Sequence, residues 1–223
     1  MVKMVICFKR KPGMDVAAFQ SHWRTVHAGI IARLPGIRRY VQSHVLLASY
    51  RKSEPPFDAV AESSFDDTQA MKSLAASPEY AAVLADEPNF IDRSSLQSFV
   101  TDEHVIKDLP APASGIKSIT LMTRKAGMPI AAFRAYWRDS HGPLCVAVPA
   151  VRRYVQNPTR QAIYDSGRTP AFDGAAMTWF DSMDALRAAV PTPEFARLRE
   201  DVEQFVAQDR SPSVLTQEHV IVA

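Results

Sequence analysis

Hydrophobic and polar positions along the chain follow one programme twice. "MVICFKR" is a short β-prone run followed by a Gly-containing turn, after which Val16, Phe19, Trp23, Val26 and Ile30 recur at steps of three and four. At about 100° per residue this spacing gathers them into one apolar stripe and predicts an amphipathic helix. "LPGIRRYVQSHVLL" then reads as a turn and a strand in which Arg38, Tyr40, Gln42 and His44 face one way while Arg39, Val41, Ser43 and Val45 face the other. A third strand over "DAVAESSF", a second helical region from "DDTQAMKSL" through the Pro-Glu-aromatic segment, and a strand ending at "EHVI" complete the order βαββαβ. The programme restarts with "SITLMTR", passes Pro129 where a first-turn proline is tolerated, and returns through "GAAMTWF" and "DSMDALRAA" to a second "EHVI".

The two passes agree residue by residue. An offset of 114 pairs Gly13-Met14 with Gly127-Met128, Ala17-Ala18-Phe19 with Ala131-Ala132-Phe133, Trp23-Arg24 with Trp137-Arg138, His27 with His141, and "RRYVQ" at 38–42 with 152–156. After a one-residue adjustment the offset becomes 115 and pairs Phe57-Asp58 with Phe172-Asp173 and Pro78-Glu79 with Pro193-Glu194. Two copies of this length exceed the roughly 20–50 residues of a solenoid unit, so each copy is a domain. "KDLPAPASGIK" has the composition of a linker, which divides the chain into modules at 1–108 and 117–223 with a linker over 109–116. The fold class is α+β: each module is a ferredoxin-like sheet with two helices on one face. Two such sheets in one chain can press their bare faces together, so the expected architecture is an intramolecular pseudo-dimer forming an α+β barrel. Further association into a homodimer stays open.

Composition narrows the partners. With 47% hydrophobic and 22% charged residues the chain has an ordinary globular make-up, and 26 Lys and Arg against 24 Asp and Glu leave a formal charge of only +2. That balance offers no general attraction for nucleic acid or an acidic membrane, so neither is expected as a partner. No window approaches the roughly 18 apolar residues of a membrane span, and the N-terminal apolar run is too short for a signal peptide, so a cytoplasmic location is expected. Cys7 and Cys145 form no recognisable disulfide or metal spacing and read as reduced, buried residues.

The stretch Phe133-x3-Trp137-x3-His141-Gly142-Pro143-Leu144, preceded by a Lys-x-Gly turn and followed by Pro149-x2-Arg152-Arg153-Tyr154-Val155, resembles the EthD family. The first copy resembles it too, with Ala28-Gly29 after His27 in place of Gly-Pro. The resemblance implies a dimeric α+β barrel in tandem, single-chain form. It implies a broad range of functions: accessory proteins of catabolic gene clusters, cofactor-independent dehydratases or decarboxylases of aromatic polyketides, and, in related barrels, lactone isomerases, quinol-forming monooxygenases and haem-binding proteins. Fold alone does not choose among them.

The candidate chemistry centres on His27 and His141, which sit at the edge of the helical stripe beside Trp23 and Trp137. A histidine facing a pocket between helix and sheet can act as general acid or base, whereas one that hydrogen-bonds a carbonyl only ends the helix. Trp23 and Trp137 are core anchors or pocket walls. Tyr40 and Tyr154 can bring a phenol to the same place, and one residue of each pair Arg38-Arg39 and Arg152-Arg153 can meet a carboxylate or enolate oxygen. The expected activity is a cofactor-independent lyase or isomerase acting on a small cyclic or aromatic carbonyl compound; the alternative is a non-catalytic binding or accessory protein. No metal is expected, because His22 and His27 are five apart and no ligand set completes a site. Haem stays open, since one histidine suffices as axial ligand. No phosphate-binding loop or nucleophile elbow appears.

Overall fold

In the computed structural model, which describes residues 1–110, 112 and 114–223, the chain divides into two compact units, Met1–Thr101 with Glu218–Ala223, and Asp102–Gln217. In the first, β1 (Val2–Arg10) leads into a turn at Gly13, whose φ of 78° is open to glycine at no steric cost. α1 (Val16–His22) begins at Asp15, whose carboxylate accepts from the backbone N–H groups of Ala17 and Ala18. A π-helical turn follows over Trp23–His27, in which Ala28 N–H reaches back five residues to the Trp23 carbonyl, and α2 (Ala28–Ile31) completes the element. This wide turn corrects the expected stripe: Val26 is exposed and His27 is buried in its stead.

The unit continues through β2 (Ile37–Val45), β3 (Ala59–Phe65), α3 (Thr68–Ser73), α4 (Pro78–Phe90) and β4 (Ile91–Thr101). Ser77 caps α4 and Pro78 takes its first turn, where the missing N–H has no intrahelical partner. The antiparallel sheet runs β4-β1-β3-β2 and ends on residues 218–222 of the last strand. One core cluster of this unit has the Phe8 ring meeting Phe19, Trp23 and Phe90 at centroid distances of 6.1, 5.4 and 6.3 Å.

The second unit contains β5 (His104–Asp108), β6 (Ile116–Met122), α5 (Ile130–Tyr136), a second π turn over Trp137–His141, and α6 (Gly142–Ala147). It continues with β7 (Val151–Pro158), α7 (Gln161–Asp165), β8 (Gly174–Phe180), α8 (Met183–Ala189), α9 (Pro193–Phe205) and the first half of β9 (Ser213–Val222). Pro129 is the N-cap of α5 rather than its first residue. The sheet order is β9-β6-β8-β7-β5, antiparallel, so both units carry the ferredoxin-like arrangement and the fold is α+β in two modules. Two of its core clusters are distinct, one around Cys145, Val151, Tyr154 and Phe180, the other around Met122, Phe133, Trp137 and Phe205.

The compact units are cut elsewhere than the repeat. The closing strand of the first copy breaks at Asp102-Glu103; β5 resumes at His104 and pairs with β7, His104 against Gln156 and Val105 against Val155. The first "EHVI" therefore lies in the second unit and the second in the first. Within the expected linker Leu109 N–H bonds to the Arg152 carbonyl, while Ala111 and Ala113 lie outside the described residues. Among the described residues no helix is long and apolar enough to cross a membrane.

Candidate functional site

Each π turn is held open by its own sheet. The Trp137 carbonyl accepts from Gly142 N–H and also from Gln156 Nε2 at 2.7 Å, while Trp137 Nε1–H donates to the Tyr154 hydroxyl at 2.8 Å. Gln156 and Tyr154 lie two apart on β7, so one strand face supplies both contacts. The first unit repeats the lock: Gln42 Nε2 donates to the Trp23 carbonyl at 2.8 Å and Trp23 Nε1–H to the Tyr40 hydroxyl at 3.0 Å. Both tryptophans are essentially unexposed and belong to the core. Gly174 makes room for one of them, since a Cβ there would stand 2.7 Å from the Trp137 ring.

The turn delivers a histidine to a carboxylate. His141 Nδ1 lies 2.8 Å from Asp201 Oδ2, and the Tyr136 hydroxyl donates to Asp201 Oδ1 at 2.6 Å. In the first unit His27 Nδ1 lies 2.9 Å from Asp86 Oδ2, and His22, in the place of Tyr136, lies 2.9 Å from Oδ1. Two histidines five apart thus share one carboxylate, an outcome of the wide turn that ideal α-helical spacing conceals. Burial lowers both His27 and His141 below the usual imidazole range, and the aspartate offsets part of that shift. Each ring is therefore neutral near pH 7, with its proton on Nδ1 toward the carboxylate and its lone pair on Nε2. Asp86 and Asp201 were not among the residues singled out in the sequence, although the offset that aligns Pro78-Glu79 with Pro193-Glu194 aligns them too.

The units differ in what surrounds the dyad. In the second, a cavity of about 200 Å³ opens between α9, α6 and the sheet, lined by His141, Tyr154, Cys145, Ser118, Thr120 and Thr178 among others. Its apolar wall joins residues of both clusters, so the cavity lies between them. The aligned positions of the first unit are larger: Met4 for Ser118, Ile6 for Thr120, Phe8 for Met122, Ile31 for Cys145 and Ile37 for Val151. Ile6, Phe8, Ile31 and Ile37 all belong to the continuous cluster of that unit. Burial raises the Cys145 thiol to about 12, despite the opposing influence of Thr178 and Lys107, so this residue is an inert small wall. Burial also keeps the Tyr154 phenol protonated, and since its oxygen accepts from Trp137, its own proton is left to donate.

The arginines go elsewhere. A bulge between Val151 and Arg153 interrupts the pairing of β7 with β8, and the strict alternation expected of the strand fails there. Arg152 pairs with Asp181 at 3.3 Å; Arg153 pairs with Asp108 at 3.2 Å and lies over the Trp179 ring. The equivalent bulge between Ile37 and Arg39 leaves Arg38 exposed and paired with Asp66 at 2.5 Å, with Arg39 half-buried on β2. Neither Arg152 nor Arg153 lines the cavity; Arg199, on α9, does. His104 is exposed, while His219 meets the His44 ring edge-on at 4.6 Å and contacts Arg24.

Among the described residues no group of three or more His, Cys, Asp or Glu could hold a metal ion. Haem does not fit the cavity at His141: about 200 Å³ is below the roughly 300–1,000 Å³ of pockets that enclose drug-sized ligands, and a macrocycle needs more.

A family profile described as the EthD domain matches residues 11–94 and again 125–209. A search of curated proteins finds no match. Among solved structures, an anthrone oxidase-like protein superposes over 100% of this chain and 93% of its own, with a TM-score of 0.64 at 13% identity. A Fusobacterium nucleatum protein with a provisional monooxygenase name covers 99% and 92%, with a TM-score of 0.62 at 10% identity. A mutant chlorite dismutase of Candidatus Nitrospira defluvii covers 96% and 90%, with a TM-score of 0.54 at 9% identity. At these identities the likeness concerns the fold.

Proposed function

The chain belongs to the EthD family, and from that premise we propose that its second copy is a cofactor-independent acid–base catalyst acting on a small monocyclic carbonyl compound. The observation that carries this reading is that His141, which lines the cavity, is held from behind by Asp201. About 200 Å³ is somewhat larger than the engineered 150 Å³ cavity that admits benzene, so one ring with a few substituents fits. His141 Nε2 takes a proton from the carbon next to the carbonyl while Asp201 holds Nδ1–H and steadies the imidazolium that forms. Tyr154 donates its hydroxyl proton as a hydrogen bond to the developing enolate oxygen, and the apolar wall keeps water away. The proton held by His141 returns to a different carbon in an isomerisation, or leaves with a hydroxyl group as water in a dehydration. The first copy keeps His27 and Asp86 but carries larger side chains at the aligned positions Met4, Ile6, Phe8, Ile31 and Ile37, so one working site per chain is the reading.

The test is deuterium exchange at the acidic carbon of cyclic β-keto compounds, followed by NMR in D₂O. Wild type should accelerate exchange and His141→Gln should lose most of the acceleration, typically 10²–10⁴-fold for a general base. Equal exchange by wild type and His141→Gln would refute the assignment. Saturable binding without exchange in either protein would make the cavity a carrier site instead.

A further inference from the structure

α9 turns one charged side chain to the mouth of the cavity. Phe195, Leu198 and Val202 face its interior, while Arg199 lines the cavity and also an adjoining surface groove that it shares with Glu200 and Glu203. Despite those neighbours, no ion pair is recorded for Arg199 among the described residues, whereas Arg152, Arg153 and Arg124 are all paired. No other Lys or Arg lines the cavity. The aligned residue of the first copy is Leu84, an exposed apolar residue on the same face of α4. Hence the cation occurs at this position in the copy whose lining side chains are smaller, and a leucine stands there in the copy where they are larger.

We propose that the cavity selects small monocyclic compounds bearing a carboxylate, and that Arg199 is the specificity residue that reads this charge at the mouth. The inference rests on the reading of the cavity as the ligand site. A planar guanidinium matches a carboxylate with two parallel hydrogen bonds, and at a partly enclosed mouth these are screened less than on open surface. With the acid group anchored there, the ring enters the apolar interior between α9 and the sheet. The hydroxyls of Ser118 and Thr178 then meet polar substituents on the far side, and His141 meets the ring edge.

Isothermal titration with benzoate and its neutral isostere benzamide at pH 7 tests the assignment. Wild type should prefer benzoate by roughly tenfold, the equivalent of one charge-assisted hydrogen-bonded contact. Arg199→Leu, which installs the first-copy residue at an exposed position, should bring the two ligands within about twofold of each other by weakening benzoate alone. Equal affinities in wild type, an undiminished preference in Arg199→Leu, or no binding of either compound would overturn the inference. A variant carrying first-copy residues inside the cavity, Ser118→Met, Thr120→Ile and Cys145→Ile, separates the two levels. Benzoate binding retained there would defeat the cavity reading itself, whereas binding lost there with the preference intact in Arg199→Leu would defeat only the role of Arg199.

Discussion

Lowering the pH from 7 to 5 should destabilise the first unit, and His44 is the residue that sets the size of the effect. Its ring is 5% exposed, stacks on Trp23 at 4.5 Å and bonds through Nε2 to Gln42 Oε1 at 3.1 Å. Burial, with His219 and Arg24 nearby, lowers its pKa from 6.5 to about 3. In the unfolded chain the same ring titrates near its ordinary value. Above pH 6.5 neither state binds the proton and the stability is fully present; between about pH 6.5 and 3 only the unfolded state takes it, so stability falls as pH falls. At about 1.4 kcal/mol per pH unit, the window from 6.5 down to 5 costs about 2 kcal/mol. Urea unfolding at pH 7, 6 and 5 measures the slope. His27, His141 and His219, also lowered, contribute to the wild-type slope, so the informative quantity is the difference from His44→Phe, which keeps a ring against Trp23 and removes the proton site. The variant loses the bond to Gln42 equally at all three values, which shifts its stability without changing its slope. Identical slopes in wild type and variant, or a native-state NMR titration of His44 near 6.5, would refute the reasoning.

Replacing Asp201 with Asn should lower the His141 pKa further, because the carboxylate is what offsets its burial, and should cut deuterium exchange by about 10²-fold or more with the far-ultraviolet spectrum unchanged. An unchanged exchange rate and an unmoved His141 titration would refute this. Trp137→Phe and Tyr154→Phe should each cost about 1–3 kcal/mol in urea unfolding, and the double variant less than their sum, because each single change leaves the other buried group without its partner. Strict additivity would show that the bond contributes nothing. Cys145→Ile should be neutral or stabilising, since the cavity can receive the extra atoms, whereas Ile31→Cys should cost about 1–3 kcal/mol by removing atoms from a packed cluster; thermal melting in the reverse order would contradict the difference in packing argued between the copies.

Much of this architecture was legible because the chain states it twice. Element order, the Gly13 and Gly127 turns and the face shared by Tyr40, Gln42 and His44 all follow from periodicity and local turn chemistry. The π turns do not, since they depend on Gln42 and Gln156 reaching the Trp23 and Trp137 carbonyls from another element; an α-helical projection consequently put Val26 on the apolar stripe and His27 at its edge. The directions of the arginine pairs are hidden for a related reason: a bulge is a property of strand pairing, and nothing in "RRYVQ" announces the extra residue that breaks the alternation. Asp86 and Asp201 lie about 60 residues from the histidines they hold. No local rule singles them out, and only the equality of the two copies could have done so.

The duplication also separates two roles that a single copy would confound. The lock of Trp, Tyr and Gln and the pairing of His with Asp occur in both units, including the one in which the larger Ile6, Phe8 and Ile31 pack between helix and sheet. A feature that both units share has a structural role of its own: it ties the π turn to α4 or α9 and provides a partner for buried polar groups that would otherwise be costly. What distinguishes the second unit is not the histidine but its surroundings, where smaller side chains on β6 and α6 line the cavity, and Arg199 stands at the opening where the first copy has a leucine. The chemistry of this chain is therefore to be sought where the shared His–Asp pair meets the features that differ between the copies, because the pair by itself already has a structural reason to exist.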